Sequence, residues 1–321
     1  MKLGLGLTQN LLDEENLRYA RQLGATHVVV RGARLGNNGF FEFDELLRMR
    51  KLVEAHGLQV EAIENLPWNH WDRVVRGLEG RDEQLENVCR TIENMGRAGI
   101  PTLGYYFSIV KVWGHWRAYT SGGGRGGAGL KSFDYDLVRD APIEEGGPVS
   151  VEKMWENLVY FLERAVPVAE KTGVRLAAHQ DDPPAVELRG VGRLLTDHEA
   201  MQRLIDTVPS PNSGLEFCQG TVAEMGPEKT VDAVRRFAGQ GKIFYVHFRN
   251  VKGAFPKFDE VFIDEGDVDM LAAMRAYKEA GYDGVLIPDH APRVAGDTQF
   301  GHRGRAFALG YMRALMQMVG A

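Results

Sequence analysis

Short apolar runs alternate with longer amphipathic stretches along this chain, and that alternation carries the first expectation. Leu3 to Leu7, Thr26 to Val30, Leu58 to Glu64 and Thr102 to Phe107 are runs of five to seven residues. They are too short for helices, and turn signals such as Gly24 and Gly57 separate them, so each reads as a strand. Apolar residues recur at helical spacing over Asp13 to Leu23, Phe43 to His56, Arg81 to Met95 and Val151 to Lys171. Acidic residues open the first of these helices, and Gly24 and Gly57 stop the first two. Ser150 stands where an N-cap belongs, with Lys153 in the place a capping box gives to Glu.

Four later apolar runs end differently. Val174 to Ala178 gives way to His179-Gln180-Asp181-Asp182-Pro183-Pro184, and Gly214 to Phe217 ends on Cys218. Ile243 to Val246 ends on His247, and Gly284 to Pro288 on Asp289-His290. Prolines cannot continue a sheet ladder, so a buried strand there empties into a site. Helices are expected between these runs and after them, at 197–207, 226–238, 268–280 and 305–319. Eight strand and helix units of this length predict an α/β fold, a (β/α)8 TIM barrel forming a single domain over 1–321. Functional groups in such a barrel come from the carboxyl ends of the strands. The four candidates His179, Cys218, His247 and Asp289 follow one another by 39, 29 and 42 residues, about one unit each, which places them on one rim.

One segment breaks the rhythm. Residues 108–150 hold Trp113, His115 and Trp116, then the run Ser121-Gly122-Gly123-Gly124-Arg125-Gly126-Gly127-Ala128-Gly129. That run lacks the Lys-Ser/Thr ending of a phosphate-binding loop. An insertion of this length after strand four is expected to form a lid over the barrel mouth.

Composition narrows the function classes. With 44% hydrophobic and 26% charged residues in 321, the chain reads as a soluble globular protein with a large core. A net charge of -6 argues against a nucleic-acid partner. No apolar run approaches the roughly 18 residues of a membrane span, and the glycine-rich start is no signal peptide, so a cytoplasmic location is expected. The two cysteines fit a reducing compartment. Cys89, in a stripe with Leu85, Val88, Ile92 and Met95, is expected in the core.

Cys218 belongs with the strand-end residues instead. Two imidazoles, a thiolate and a carboxylate suit a borderline divalent cation, and zinc, manganese, iron, cobalt and nickel all match that softness. Each residue alone has an ordinary explanation as a loop histidine, a core cysteine or a helix-capping aspartate. Their joint placement at consecutive strand ends favours a metal site.

These residues lie within longer motifs: AAHQDDPP, VPSPNSGLEFCQGT, VHFRNVKG, GDVDM and IPDH, with a weaker AGIPTLGYYF. In them the chain resembles the D-mannonate dehydratase family of hexuronate catabolism, barrels related in fold to the xylose isomerase-like enzymes. The resemblance implies a manganese-type site on His179, Cys218, His247 and Asp289, with Fe2+, Co2+, Ni2+ or Zn2+ as alternatives. It implies a small-molecule sugar acid as partner, its dehydration to a 2-keto-3-deoxy acid, and a homo-oligomer, dimer or tetramer. His290 resembles the family's acid/base histidine. Arg249 is read as a clamp for the substrate carboxylate, and Asp181, Asp182 and Glu64 as further substrate-side groups.

The chain also departs from the family pattern. Phe300-Gly301-His302-Arg303 carries His302 where a tyrosine is usual, and Gln180 replaces the proline of His-Pro-Asp-Asp. Ile287, Ala291 and Tyr106 stand where arginine, glycine and asparagine are common. His302 is therefore expected to act as a second proton-transfer group beside His290. The alternative activity is that of a metal-dependent sugar isomerase or epimerase, and a third reading is a barrel that binds metal or ligand without catalysis.

Overall fold

The computed structural model describes residues 1–36, 38–115 and 123–321. Eight parallel strands close into a barrel: β1 Lys2–Thr8, β2 His27–Arg31, β3 Gln59–Glu64, β4 Thr102–Tyr105, β5 Arg175–His179, β6 Ser213–Cys218, β7 Ile243–His247 and β8 Val285–Ile287. Each strand pairs with the next in sequence, and β8 returns to β1 through Lys2↔Val285 and Leu3↔Leu286. The longer helices are α1 Glu14–Gln22, α2 Phe43–Ala55, α3 Arg81–Ala98, α4 Val151–Thr172, α5 His198–Thr207, α6 Thr230–Gly239, α7 Met270–Glu279 and α8 His302–Met318. Their starts are set by short polar side chains. Asp13, Ser150, Asp197 and Asp269 each accept a backbone N–H in the first turn, satisfying a donor that has no partner within the helix.

Several features differ from the sequence expectation, among them the start of the last helix at His302 rather than 305. The sixth helix starts at Thr230 because Pro227–Lys229, preceded by Gly226 at φ 145°, first form a 3-10 turn. Gln219–Glu224 forms a short buried helix directly after Cys218. Cys89 is half-buried on α3, its thiol facing the Arg164 carbonyl at 3.9 Å, rather than in the core.

Side chains alternate across each barrel strand. The inner layer includes Val29, Ala62, Ala177, Tyr245, Val285 and Ile287, packed as a cluster separate from the larger core between strands and helices. Gly104 on β4 makes room for this layer: a Cβ there would strike the Tyr245 hydroxyl. Above the apolar layer, at the carboxyl ends, the interior turns polar.

The described part of the 108–150 insertion is built onto the barrel. Lys131–Asp134 pairs antiparallel with Lys257–Glu260, which pairs in turn with Val251–Ala254. The register sets Lys131 opposite Glu260 and Phe133 opposite Phe258. Phe133 and Phe258 are buried and stacked, while on the alternate positions Ser132 meets Asp259 and Asp134 meets Lys257. Arg125, from the glycine-rich run, forks onto Asp264 and lies over Phe262. Trp113 packs under the Arg189 guanidinium. Trp116 and Ser121-Gly122 lie outside the described residues. Among the described residues no helix is long and apolar enough to cross a membrane.

Candidate active site

His179, Cys218 and His247 are the last residues of β5, β6 and β7, and their donor atoms lie within 4.8 Å of one another. His179 Nδ1 lies 2.5 Å from the Gln180 carbonyl, which leaves Nε2 as the ring's free donor. His247 is turned the other way. Its Nε2 sits 3.0 Å from Glu64 Oε2 and 3.1 Å from Glu216 Oε1, while Nδ1 is buried with no hydrogen-bond partner. Carboxylates behind an imidazole fix its tautomer and raise its basicity, as they do behind metal-bound histidines. Asp289 stands two residues beyond β8, with Oδ2 3.6 Å from His247 Nδ1 and Oδ1 2.8 Å from the Arg31 guanidinium. Gln180 ties two ligand strands together. Its amide donates to the Glu216 carbonyl at 3.1 Å and its Oε1 accepts from Cys218 N at 2.8 Å.

The local field favours charged ligands. Burial opposes ionisation of the Cys218 thiol, but Arg249, His179 and His247 outweigh it and hold the thiol well below its ordinary range. Asp289 is likewise held down, with His290, Arg31 and His247 overcoming burial. Burial would lower His179, yet Glu216 and Cys218 raise it to about 9. Burial and the neighbouring Glu64 push Glu216 up to about 7, whereas Arg31 and His247 hold Glu64 at about 2 against burial. The buried unpartnered Nδ1 of His247, beside a thiolate and a carboxylate, fits a divalent cation of the borderline class.

Beside this cluster His290 faces a charged group at each ring nitrogen. Nδ1 lies 2.7 Å from Glu260 Oε2, and Nε2 lies 2.8 Å from Lys131 Nζ. Burial draws the imidazole below its ordinary value despite Asp289 and Glu260. Glu260 is held at about 2, because His290, Lys131 and Arg249 outweigh its burial. Two further groups of potential ligands lie nearby: Glu64 and Glu216 with His247, and His115, Asp182 and Glu260, which joins the insertion to the barrel with His115 Nε2 3.2 Å from Asp182. A cavity of about 660 Å³ opens over the ends of β2 and β3 and is lined by Arg31, Arg34, Glu64, Trp68 and His70, among others.

Comparison with known proteins places this arrangement. The model of the D-mannonate dehydratase family matches residues 7–147 and 143–321. The chain belongs to the D-mannonate dehydratase family. It is 27% identical to mannonate dehydratase 2 of Halalkalibacterium halodurans, over 96% of both chains. To the mannonate dehydratase of Thermotoga maritima it is 30% identical, over 86% of both. The crystal structure of mannonate dehydratase from Streptococcus suis serotype 2 superposes with a TM-score of 0.87 at 27% identity, covering 100% of this chain and 96% of that one. A xylose isomerase domain protein from Planctomyces limnophilus, at TM-score 0.65 and 16% identity, shares the fold alone. Mannonate dehydratases are hydro-lyases, which sets dehydration ahead of isomerisation or epimerisation.

Within this family member the remaining sequence candidates take distinct places. Arg249 is buried, with Nη2 2.8 Å from Asp182, Nη1 3.0 Å from Glu224 and Nε 3.4 Å from Asp289. It organises carboxylates rather than facing the cavity. Asp181 accepts from Leu194 N and Leu195 N at 2.8 Å and pairs with Arg193, so it shapes the loop after β5. Asp182 joins Arg249 to His115. Glu64 borders the cavity but is held by Arg31 and His247. Tyr106 donates to the Asp182 carbonyl, accepts from Arg193 and packs edge-on against His179.

His302 is the exception. It opens α8, with Nδ1 2.6 Å from Thr298 Oγ1 and Nε2 2.8 Å from Asn16 Oδ1, and its ring packs against Tyr19 and Phe300. None of these partners belongs to the metal cluster or to the His290 pair. The structure therefore does not bring His302 together with His290, because α8 begins at His302 itself and turns the ring toward α1.

Lys131, Glu260, Glu216 and Arg31 were missed from sequence, and His115 was read only as part of the insertion. Glu216 and Arg31 had a local signal, being charged residues in otherwise apolar strands. Lys131 and Glu260 had only the alternation of Lys131-Ser132-Phe133-Asp134 and Lys257-Phe258-Asp259-Glu260 to suggest a strand pair.

Proposed function

We propose that this protein dehydrates D-mannonate to 2-keto-3-deoxy-D-gluconate, with a divalent cation held by His179, Cys218, His247 and Asp289. The observation that carries the reading is the convergence of three soft or borderline donor atoms within 4.8 Å, beside Asp289 and a His290 that faces a charged group at each ring nitrogen. Manganese is the metal the family resemblance implies. When bound, such a cation supplies Lewis-acid stabilisation of the charge that develops on substrate oxygens.

The chain's own residues account for the rest. Glu64 and Glu216 orient His247, and Gln180 holds β5 against β6. Arg31 and Arg34 line the cavity and offer positive charge to the sugar acid's carboxylate. Arg249 keeps Asp182, Glu224 and Asp289 in place. His290 takes the proton from C2, the carbon next to that carboxylate, and the hydroxyl leaves C3 as water. The resulting enol becomes the 2-keto acid by giving up its hydroxyl proton and taking one from its surroundings at C3. The 108–150 insertion closes the mouth and excludes water during this step. A homo-oligomer, dimer or tetramer, belongs to the same reading and is drawn from the family resemblance.

The test is a panel of sugar acids offered to protein reconstituted with Mn2+, assayed for a chromophoric 2-keto-3-deoxy acid. D-mannonate is expected to react and Cys218→Ser protein to stay inactive. Epimerised sugar acid without loss of water would replace the reading by the epimerase alternative.

A further inference from the structure

Dehydration moves two protons: one leaves C2, and one must reach the departing C3 hydroxyl. The proposed reading assigns the first to His290. His302 does not stand beside it, since both its ring nitrogens are engaged by Thr298 and Asn16. The second proton needs another carrier close to His290.

We propose that Lys131, delivered by the insertion, is that carrier. The inference rests on the dehydratase reading and adds a catalytic residue to it. Lys131 Nζ lies 2.8 Å from His290 Nε2, against 3.9 Å from Glu260 Oε2, so its first partner is the imidazole. His290 Nδ1 faces Glu260 at 2.7 Å. An ammonium has only donors, so in the 2.8 Å contact His290 Nε2 is the acceptor and its lone pair faces the lysine. Neither side chain is sealed off: Lys131 is 17% exposed and His290 21%.

Placement of Lys131 is built in by the added sheet. The register opposes Lys131 to Glu260 and Phe133 to Phe258, so one face of the pair carries two stacked phenyl rings followed by a lysine and a glutamate. Phe133 and Phe258 are buried, which anchors this face against the barrel and points Lys131 at the end of β8. On the opposite face Lys257 pairs with Asp134 in the ordinary way of an exposed lysine.

The proton balance closes within the pair. His290 Nε2 takes the C2 proton, and the electron pair of that C–H bond forms the C2–C3 double bond as the C3–O bond breaks. Lys131 Nζ gives one proton to the leaving oxygen, which departs as water. The pair is then left with a protonated imidazole and a neutral amine 2.8 Å apart in the resting arrangement. One proton transfer from Nε2 to Nζ restores both groups without solvent.

The experiment compares wild-type, Lys131→Ala and Lys131→Met proteins, all Mn2+-loaded, with D-mannonate. Wild-type turnover is measured first, because its absence would count against the dehydratase reading and not against Lys131. Both variants are expected to lose about a hundredfold or more in kcat, the usual weight of a general acid, with KM within threefold and metal content unchanged. Methylamine is expected to restore at least tenfold of the lost rate in Lys131→Ala, by placing an amine where Nζ was, and to restore none in His290→Ala. Turnover of either lysine variant within threefold of wild type overturns the proposal. A loss that methylamine does not relieve in folded, metal-loaded Lys131→Ala also overturns it, and assigns Lys131 to positioning the insertion.

Discussion

Replacing His302 with Ala removes two hydrogen bonds and two aromatic edge contacts at the start of α8. The bonds are His302 Nδ1 to Thr298 Oγ1 at 2.6 Å and Nε2 to Asn16 Oδ1 at 2.8 Å. The ring contacts, to Tyr19 and Phe300, have centroid separations of 4.8 and 4.9 Å. A hydrogen bond contributes about 0.5–1.5 kcal/mol net, and an aromatic pair about 0.5–1.5 kcal/mol beyond burial. The Thr298 bond is exposed and counts at the low end, so the whole change comes to about 2–5 kcal/mol. At about 2.1 cal/mol/K of unfolding entropy per residue, a chain of 321 residues changes its midpoint by about 3–7 °C for that loss. Calorimetry on His302→Ala is expected to show this drop, while kcat and KM on D-mannonate stay within threefold of wild type. A hundredfold fall in kcat at an unchanged midpoint would refute the reasoning and return His302 to the proton-transfer chemistry.

Other outcomes follow from the same geometry. Cys218→Ser and His247→Ala proteins are expected to lose most of their bound metal, read by elemental analysis after purification without chelator; stoichiometric metal in both would remove the proposed centre. Arg249→Met leaves buried carboxylates without their counter-charge and is expected to destabilise the protein by about 3–5 kcal/mol in a urea titration; a loss below 1 kcal/mol would mean that those carboxylates are neutral. Gly220→Ala puts a methyl 2.5 Å from Arg249 Cγ, Cζ and Nη1, and a fall in stability of about 1–3 kcal/mol is expected. Saturating D-mannonate is expected to slow proteolysis within residues 108–150, and equal cleavage with and without it would remove the lid.

The sequence disclosed this site unevenly, and the reasons are physical. His179, Cys218 and His247 were legible because a short apolar run ending in a ligand is a local pattern, and the barrel rule turns strand ends into one rim. Gln180 read as a departure from the family motif, yet it bonds two ligand strands, a role visible only once β5 and β6 lie side by side. Arg249 was legible as a charge near the site, but its buried setting among Asp182, Glu224 and Asp289 depends on the short helix after Cys218, which no periodicity announced. The Lys131 to His290 contact spans 159 residues and exists only because an insertion strand pairs with Lys257–Glu260. The partners of His302 were not legible because its direction is decided by where α8 begins, and helix starts are the part of a sequence pattern known to within only a few residues.

The central claim, metal-assisted loss of water from D-mannonate, is tested most directly by NMR of the reaction in D2O with Mn2+-loaded protein, followed by removal of the metal before the spectrum is recorded. The account predicts 2-keto-3-deoxy-D-gluconate carrying deuterium at C3, because the enol formed after water leaves must take a proton from its surroundings there. Recovery of unchanged D-mannonate, or of its C2 epimer with the C3 hydroxyl intact, from protein with stoichiometric metal would contradict it.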